Sequence, residues 1–178
     1  KVEYSINGGK TWTEIAPSIT DVGEQKVTVR VTNGNYTTVE NEVTLKVTPA
    51  TMNPTITGHE DVYDGNTYAV SVTGEPEGSK VEYSINGGKT WTENAPSIKD
   101  AGEQTVAIRV TNSNYNEYTG SATLKVTPAP LTVTTGSDSK VYNGEALKKA
   151  EATVTGFVNG ESATAVATGS QTNVGKSK

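Results

Sequence analysis

The sequence predicts an all-β protein built as tandem β-sandwich repeats of about 79 residues. Three observations carry this. Residue usage is strongly β-branched: 21 Val and 29 Thr stand against 4 Leu and one Phe. Such side chains are stiff at χ1 and suit a pleated, half-buried surface, whereas helical bundles rely on Leu and Ala. Short runs alternate apolar and polar with the two-residue period of a strand. The text also repeats: residues 1–50 and 80–129 align without a gap at an offset of 79, with 36 identities in 50 positions. A fixed period of this size marks an array of structural units.

Both copies open Lys-Val-Glu-Tyr-Ser-Ile-Asn-Gly-Gly-Lys-Thr-Trp-Thr-Glu, at Lys1–Glu14 and Lys80–Glu93. Both close Thr-Leu-Lys-Val-Thr-Pro-Ala, at Thr44–Ala50 and Thr123–Ala129. Val62-Tyr63-Asp64-Gly65 returns as Val141-Tyr142-Asn143-Gly144 at the same offset. Pro49, Pro54, Pro128 and Pro130 cluster where the text restarts and set the unit ends. Residues 1–51 are then the C-terminal part of a repeat, 52–129 a complete repeat, and 130–178 the N-terminal part of a divergent one. A sequence that starts and stops inside units reads as a piece of a longer protein. The short junction at Thr127–Leu131 predicts an extended rod with little contact between units, and strand edges at both ends that other copies can pair with.

The strands of the complete repeat follow in order. Thr55–Thr57 is the first, and Tyr68, Val70 and Val72 line one face of the next. Val81, Tyr83 and Ile85 form an inward row ahead of Asn86-Gly87-Gly88, a turn whose residues tolerate positive φ. Val106, Ile108 and Val110 face inward with Arg109 opposite, as Val27, Val29 and Val31 do around Arg30. Ala122, Leu124 and Val126 close the repeat, matching Val43, Leu45 and Val47. Thr37–Val43 and Asn116–Ala122, where the copies differ most, read as a tolerant solvent loop entering that last strand, or as a partner contact that changes from unit to unit. Asp21-x-Gly23, Asp100-x-Gly102 and Asn173-x-Gly175 predict Asx turns before a strand, and Glu145–Ala152 one turn of helix. Six or seven short strands in about 79 residues, with turns every 8–12, are the signature of an Ig-like sandwich.

Four stretches carry a family resemblance. They are Val-Thr-Pro-Ala-Pro-Leu-Thr-Val at Val126–Val133, Lys-Val-Tyr-Asn-Gly at Lys140–Gly144, Thr-Gly-Phe-Val-Asn-Gly-Glu at Thr155–Glu161, and Gly-Ser-Gln-Thr-Asn-Val-Gly at Gly169–Gly175. They resemble the MBG (mostly-β, glycine-rich) repeats, bacterial Ig-like repeats of Gram-positive cell-surface proteins. The resemblance covers 126–178; the 79-residue unit is similar only to the broader Ig-like class. It implies an extracellular location, at the cell surface or wall, and a shaft that offers no catalytic residues.

Composition excludes several functions. With no Cys there is no disulfide framework, thiolate zinc site or cysteine nucleophile. His59 is the single histidine, so a His-rich metal cluster is ruled out. A net charge of −5 argues against nucleic acid, and no apolar run approaches the roughly 20 residues that span a bilayer. Ser5–Trp12 and Ser84–Trp91 resemble the Asp-box of sialidases, with Asn7 and Asn86 in place of the aspartate. In sialidases that motif is a structural hairpin, and here only Arg30 and Arg109 exist, so no arginine trio can form. The motif predicts a tight hairpin covered by its own tryptophan. Trp91, Tyr115 and Tyr118 are the candidates for an aromatic platform under sugar rings. Glu60, Asp61 and Asp64, beside His59 and Asn66, are the candidates for calcium, at a spacing that is not an EF-hand loop. Nothing in the spacing of Lys, Asn and acid singles out an isopeptide trio, and no cofactor motif is present. The expected function is a non-catalytic stalk or spacer in a large secreted or wall-attached bacterial surface protein, an adhesin-type shaft. Its partners are neighbouring repeats and other copies of the chain. The alternatives are a module binding carbohydrate or a host protein, and an accessory region of a secreted glycan-degrading enzyme.

Overall fold

The computed structural model describes residues 1–175; Lys176–Lys178, the end of the 130–178 repeat, lie outside the described residues. The chain is all-β, with no helix among the described residues. In chain order the strands are β1 (Val2–Ser5), β2 (Gly23–Asn33), β3 (Tyr36–Val47), β4 (Thr55–Thr57), β5 (His59–Val62) and β6 (Tyr68–Ala69). Then come β7 (Ser71–Thr73), β8 (Lys80–Ser84), β9 (Ser97–Ile98), β10 (Gly102–Asn112) and β11 (Tyr115–Thr127). The last four are β12 (Thr132–Thr135), β13 (Leu147–Lys148), β14 (Ala152–Thr155) and β15 (Ser170–Gln171). One sheet has the order β1-β2-β3 and another β5-β11-β10-β8; β4-β7, β6-β9, β12-β14 and β13-β15 are two-stranded. By contacts the chain gathers into two compact units, 1–57 with 71–96 and 106–122, and 58–70 with 97–105 and 123–178.

In the first unit the repeated text folds twice into the same pairing. β1 meets β2 with Glu3 opposite Arg30 and Tyr4 opposite Val29. β8 meets β10 with Glu82 opposite Arg109 and Tyr83 opposite Ile108. The β-branched rows bury unequally. Val106, Ile108 and Val110 are wholly buried, while Val27 is buried, Val29 half-buried and Val31 46% exposed. Part of the reason is visible at position 120. A Cβ on Gly120 would lie 2.6 Å from Ile56 Cδ1, so the missing side chain makes room for β4 against β11. The first copy carries Asn41 at that position. The divergent segment is therefore strand and not loop, and part of its divergence is packing.

In the second unit β5 lies parallel to β11, with His59 opposite Leu124 and Asp61 opposite Val126. Tyr63 N–H donates to the Thr127 carbonyl at 2.8 Å and prolongs that ladder. Leu124, Val126 and Val70 are its buried apolar residues. β12 and β14 pair antiparallel, Thr132 opposite Thr155.

Several expectations are corrected. The Tyr68–Val72 row is two strands: β6 pairs with β9 and β7 with β4, and Val70, 3% exposed, sits between them. Strand β5 has no apolar alternation to announce it, because three of its four residues are polar or charged. Ile85 lies beyond β8 and is exposed, and the buried place goes to Ser84. Glu145–Ala152 contains β13 and no helical turn, since β15 supplies Leu147 and Lys148 with backbone partners. Gly23 and Gly102 open β2 and β10 without a left-handed φ, so the unusual glycine angle expected in those turns is absent. Asp21 is instead bonded by the side chain of Asn114. That bond also corrects the expectation of little contact between units, since it joins the first copy of the text to the second.

Candidate functional site

The loops that carry the Asp-box-like motif are built alike in both copies. Tyr4 and Thr13 exchange two backbone hydrogen bonds, of 2.7 and 2.9 Å, and Tyr83 and Thr92 two of 2.8 and 3.0 Å. Inside the loop the Ser5 hydroxyl is buried, donates to Asn7 Oδ1 at 2.9 Å and accepts from Gly9 N–H at 2.9 Å. Asn7 Oδ1 also accepts from Thr11 N–H at 2.9 Å, and Asn7 Nδ2 donates to Thr11 Oγ1 at 2.7 Å. Ser84, Asn86, Gly88 and Thr90 repeat each contact. Gly9 and Gly88 adopt φ of +81° and +82°, which a side chain resists, and the Trp12 and Trp91 rings lie against them. Ser, Asn, Gly, Thr and Trp at this spacing thus close one loop, as the hairpin reading requires.

An ionic assembly adjoins each loop. The Arg30 guanidinium stacks 3.8 Å from the Trp12 ring centre and donates to Glu3 at 2.9 Å. The Arg109 guanidinium sits 4.5 Å from that of Trp91 and donates to Glu82 at 2.7 Å. Lys1 reaches Glu3 at 2.8 Å and Glu14 at 3.0 Å, as Lys80 reaches Glu82 and Glu93. The lysine, then the arginine, holds the carboxyls of Glu3 and Glu82 below the usual carboxylate range. The glutamates in turn raise both lysines. Trp91, the central candidate for a sugar platform, is half-buried with Arg109 on its ring. Tyr115 is held in a parallel bridge with Ala50, and Tyr118 packs at Gly120. The one stacked aromatic pair among the described residues, His59 on Tyr68 at 3.5 Å, contains none of the three candidates.

The calcium candidates are dispersed by β5. Neighbouring strand residues point to opposite faces, so Glu60 and Asp61 do not converge. Glu60 is paired by the Lys125 ammonium across the parallel ladder, and Asp61 accepts from its own neighbour Val62 N–H at 2.7 Å. Asp64 accepts from Asn66 N–H at 2.9 Å and from the Tyr68 hydroxyl at 2.6 Å, which holds its carboxyl below the usual range. No group of three or more His, Asp or Glu able to hold a metal occurs among the described residues. His59 Nε2 is buried without a partner there.

Two groups of working residues escaped the sequence reading. The Arg–Trp–Glu assembly was signalled by Glu and Arg recurring 27 residues apart in both copies. The Asn114 contact with Asp21 was signalled only by Asn-x-Asn-Tyr being retained at Asn33–Tyr36 and Asn112–Tyr115. No curated protein sequence matches the chain. The family model of the MBG domain matches residues 53–130. The match falls on the complete repeat, which by its own text resembles only the broader Ig-like class, while the stretches that carry the MBG resemblance begin at Val126. A strand-rich, cysteine-free repeat with its polar groups turned inward on its own loops agrees with that match, and over residues 53–130 the chain is similar to the MBG domain.

Proposed function

We propose that the chain is a non-catalytic spacer, a tandem of Ig-like sandwich repeats in a large secreted or wall-attached bacterial surface protein. One observation carries this reading: the most elaborate polar assembly of the molecule is built twice, and both times its groups bind one another. A ligand site needs donors, acceptors or ring faces aimed at an occupant. Here Ser, Asn and Thr close the loop, and Arg lies on the tryptophan that a sugar ring would use. The similarity of residues 53–130 to the MBG domain supports a repeat module of a surface protein, and with it an extracellular position. A glycan array probed with the intact chain tests the reading. The spacer reading expects no retention on any glycan. Retention that Trp91→Ala abolishes, with the melting temperature unchanged, overturns it in favour of a binding module.

A further inference from the structure

Asn114 makes a joint between the two copies of the text. Its side chain donates to the Asp21 carboxylate at 2.9 Å and accepts from Val22 N–H at 2.8 Å. Beside it, Ala50 N–H donates to the Asn114 carbonyl at 3.0 Å, and Asn116 N–H donates to the Ala50 carbonyl at 2.8 Å. One turn thus holds the first copy at two places, the Asp21–Val22 loop and the Pro-Ala end.

The two holds resist different movements. Ala50 lies where the first copy passes into the complete repeat, which begins at Met52. A backbone bridge there sits at the covalent junction and acts as a pivot. Gly23 pairs with Val47, so the Asp21–Val22 loop stands beside the end of β3, on the neighbouring strand. Neighbouring strands lie roughly 4.8 Å apart. A hold on one strand end lets the copy turn about that strand, and a second hold on the next strand stops the turn.

The gripping turn is itself tied to the complete repeat. Asn112 Oδ1 accepts from Asn114 N–H at 3.0 Å, while its Nδ2 donates to the Glu77 carbonyl at 3.1 Å and to Ser79 Oγ at 3.2 Å. Ser79 N–H donates to the Pro76 carbonyl at 3.1 Å, so Asn112 fastens on a closed turn. The two asparagines stand in series: Asn112 holds the complete repeat, and Asn114 holds the copy before it.

We propose that Asn112 and Asn114 form a clamp that fixes the angle between the two copies of the text, with the backbone bridge at Ala50 as its pivot. Without the clamp the copies stay joined at Ala50 but turn about it. The clamp works whether the chain is a spacer or a binding module, so its test is separate from glycan binding.

The chain has no native cysteine, so nitroxide labels at Lys26→Cys and Thr119→Cys, both exposed strand positions, report the distance between the copies by pulsed electron paramagnetic resonance. A single narrow distribution is expected for the labelled chain with both asparagines in place. Asn114→Ala and Asn112→Ala are each expected to widen it about twofold, with unchanged circular dichroism. Because the two act in series, the double variant is no wider than the broader single one. Asp21→Asn keeps an oxygen that accepts from Asn114 and keeps the narrow width, whereas Asp21→Ala widens it. Where Asn112→Ala does not fold, Asp21→Ala takes its place in the cycle. A distribution that is already broad with the clamp intact, a width unchanged by Asn114→Ala, or widths that add in the double variant overturns the proposal.

Discussion

Glu3 and Glu82 each stand opposite an arginine and beside a lysine, and their folded pKa values lie below those of the unfolded chain. A carboxyl shifted that way contributes stability that is fully present above its unfolded pKa, about 4.3, and is lost as pH falls through the lower folded value. Thermal melts taken downward from pH 6 are therefore expected to show a loss of melting temperature below about pH 4.3 that the Glu3→Gln, Glu82→Gln double variant flattens. An unaltered slope would show that other carboxyls dominate. The buried hydroxyl of Ser84 is a second case, since Gly88 N–H depends on it. Ser84→Ala strands that donor, and calorimetry should find a loss of about 1–2 kcal/mol. Neither role was legible residue by residue: Ser84 looks like an outward strand position, and its burial comes from the loop folding over it.

A glycine's role depends on the turn it occupies, and the two glycine motifs of the repeat separate cleanly. Gly88 adopts φ of +82°, so Gly88→Ala forces a side chain into the left-handed region at a cost of about 1–2 kcal/mol. Gly102 begins β10 with an ordinary φ, and an added Cβ meets nothing closer than 3.9 Å, so Gly102→Ala is expected to be near neutral. Equal losses in chemical denaturation would contradict this difference. The strand rows make a parallel contrast. Ile108 is wholly buried, and Ile108→Ala should cost about 2–5 kcal/mol. Val29, at the same place in the first copy, is half-buried, and Val29→Ala should cost about 1 kcal/mol or less. Alternation assigned both rows to the inner face, correctly as to face. It could not rank their burial, because that depends on what packs against each row.

At the scale of the molecule, the joint at Asn114 links residues 92 and 93 positions apart. Removing its side chain leaves Val22 N–H and the Asp21 carboxylate without that partner. Asn114→Ala is therefore expected to speed hydrogen exchange at the Val22 amide about tenfold, while amides of β10 keep their protection. Exchange at Val22 that does not change would mean the contact adds nothing to the hold between the copies.

The sequence by itself determined that the protein is all-β, that one text of 79-residue period is used twice, and which loop its Ser-Asn-Gly-Gly-Thr-Trp motif closes. These properties are local: side-chain branching, a two-residue period and a turn that needs glycine act within a few neighbouring residues. The tertiary structure decided the rest. It made β5 a strand by laying four largely polar residues along β11, and it divided the Tyr68–Val72 row between two partners. It left Val31 exposed while burying Val110, although the two occupy the same position in their copies. It also brought Asn114 to Asp21. Each of these outcomes depends on distant segments meeting, and backbone pairing and burial are set by that meeting and not by the residues of either segment alone.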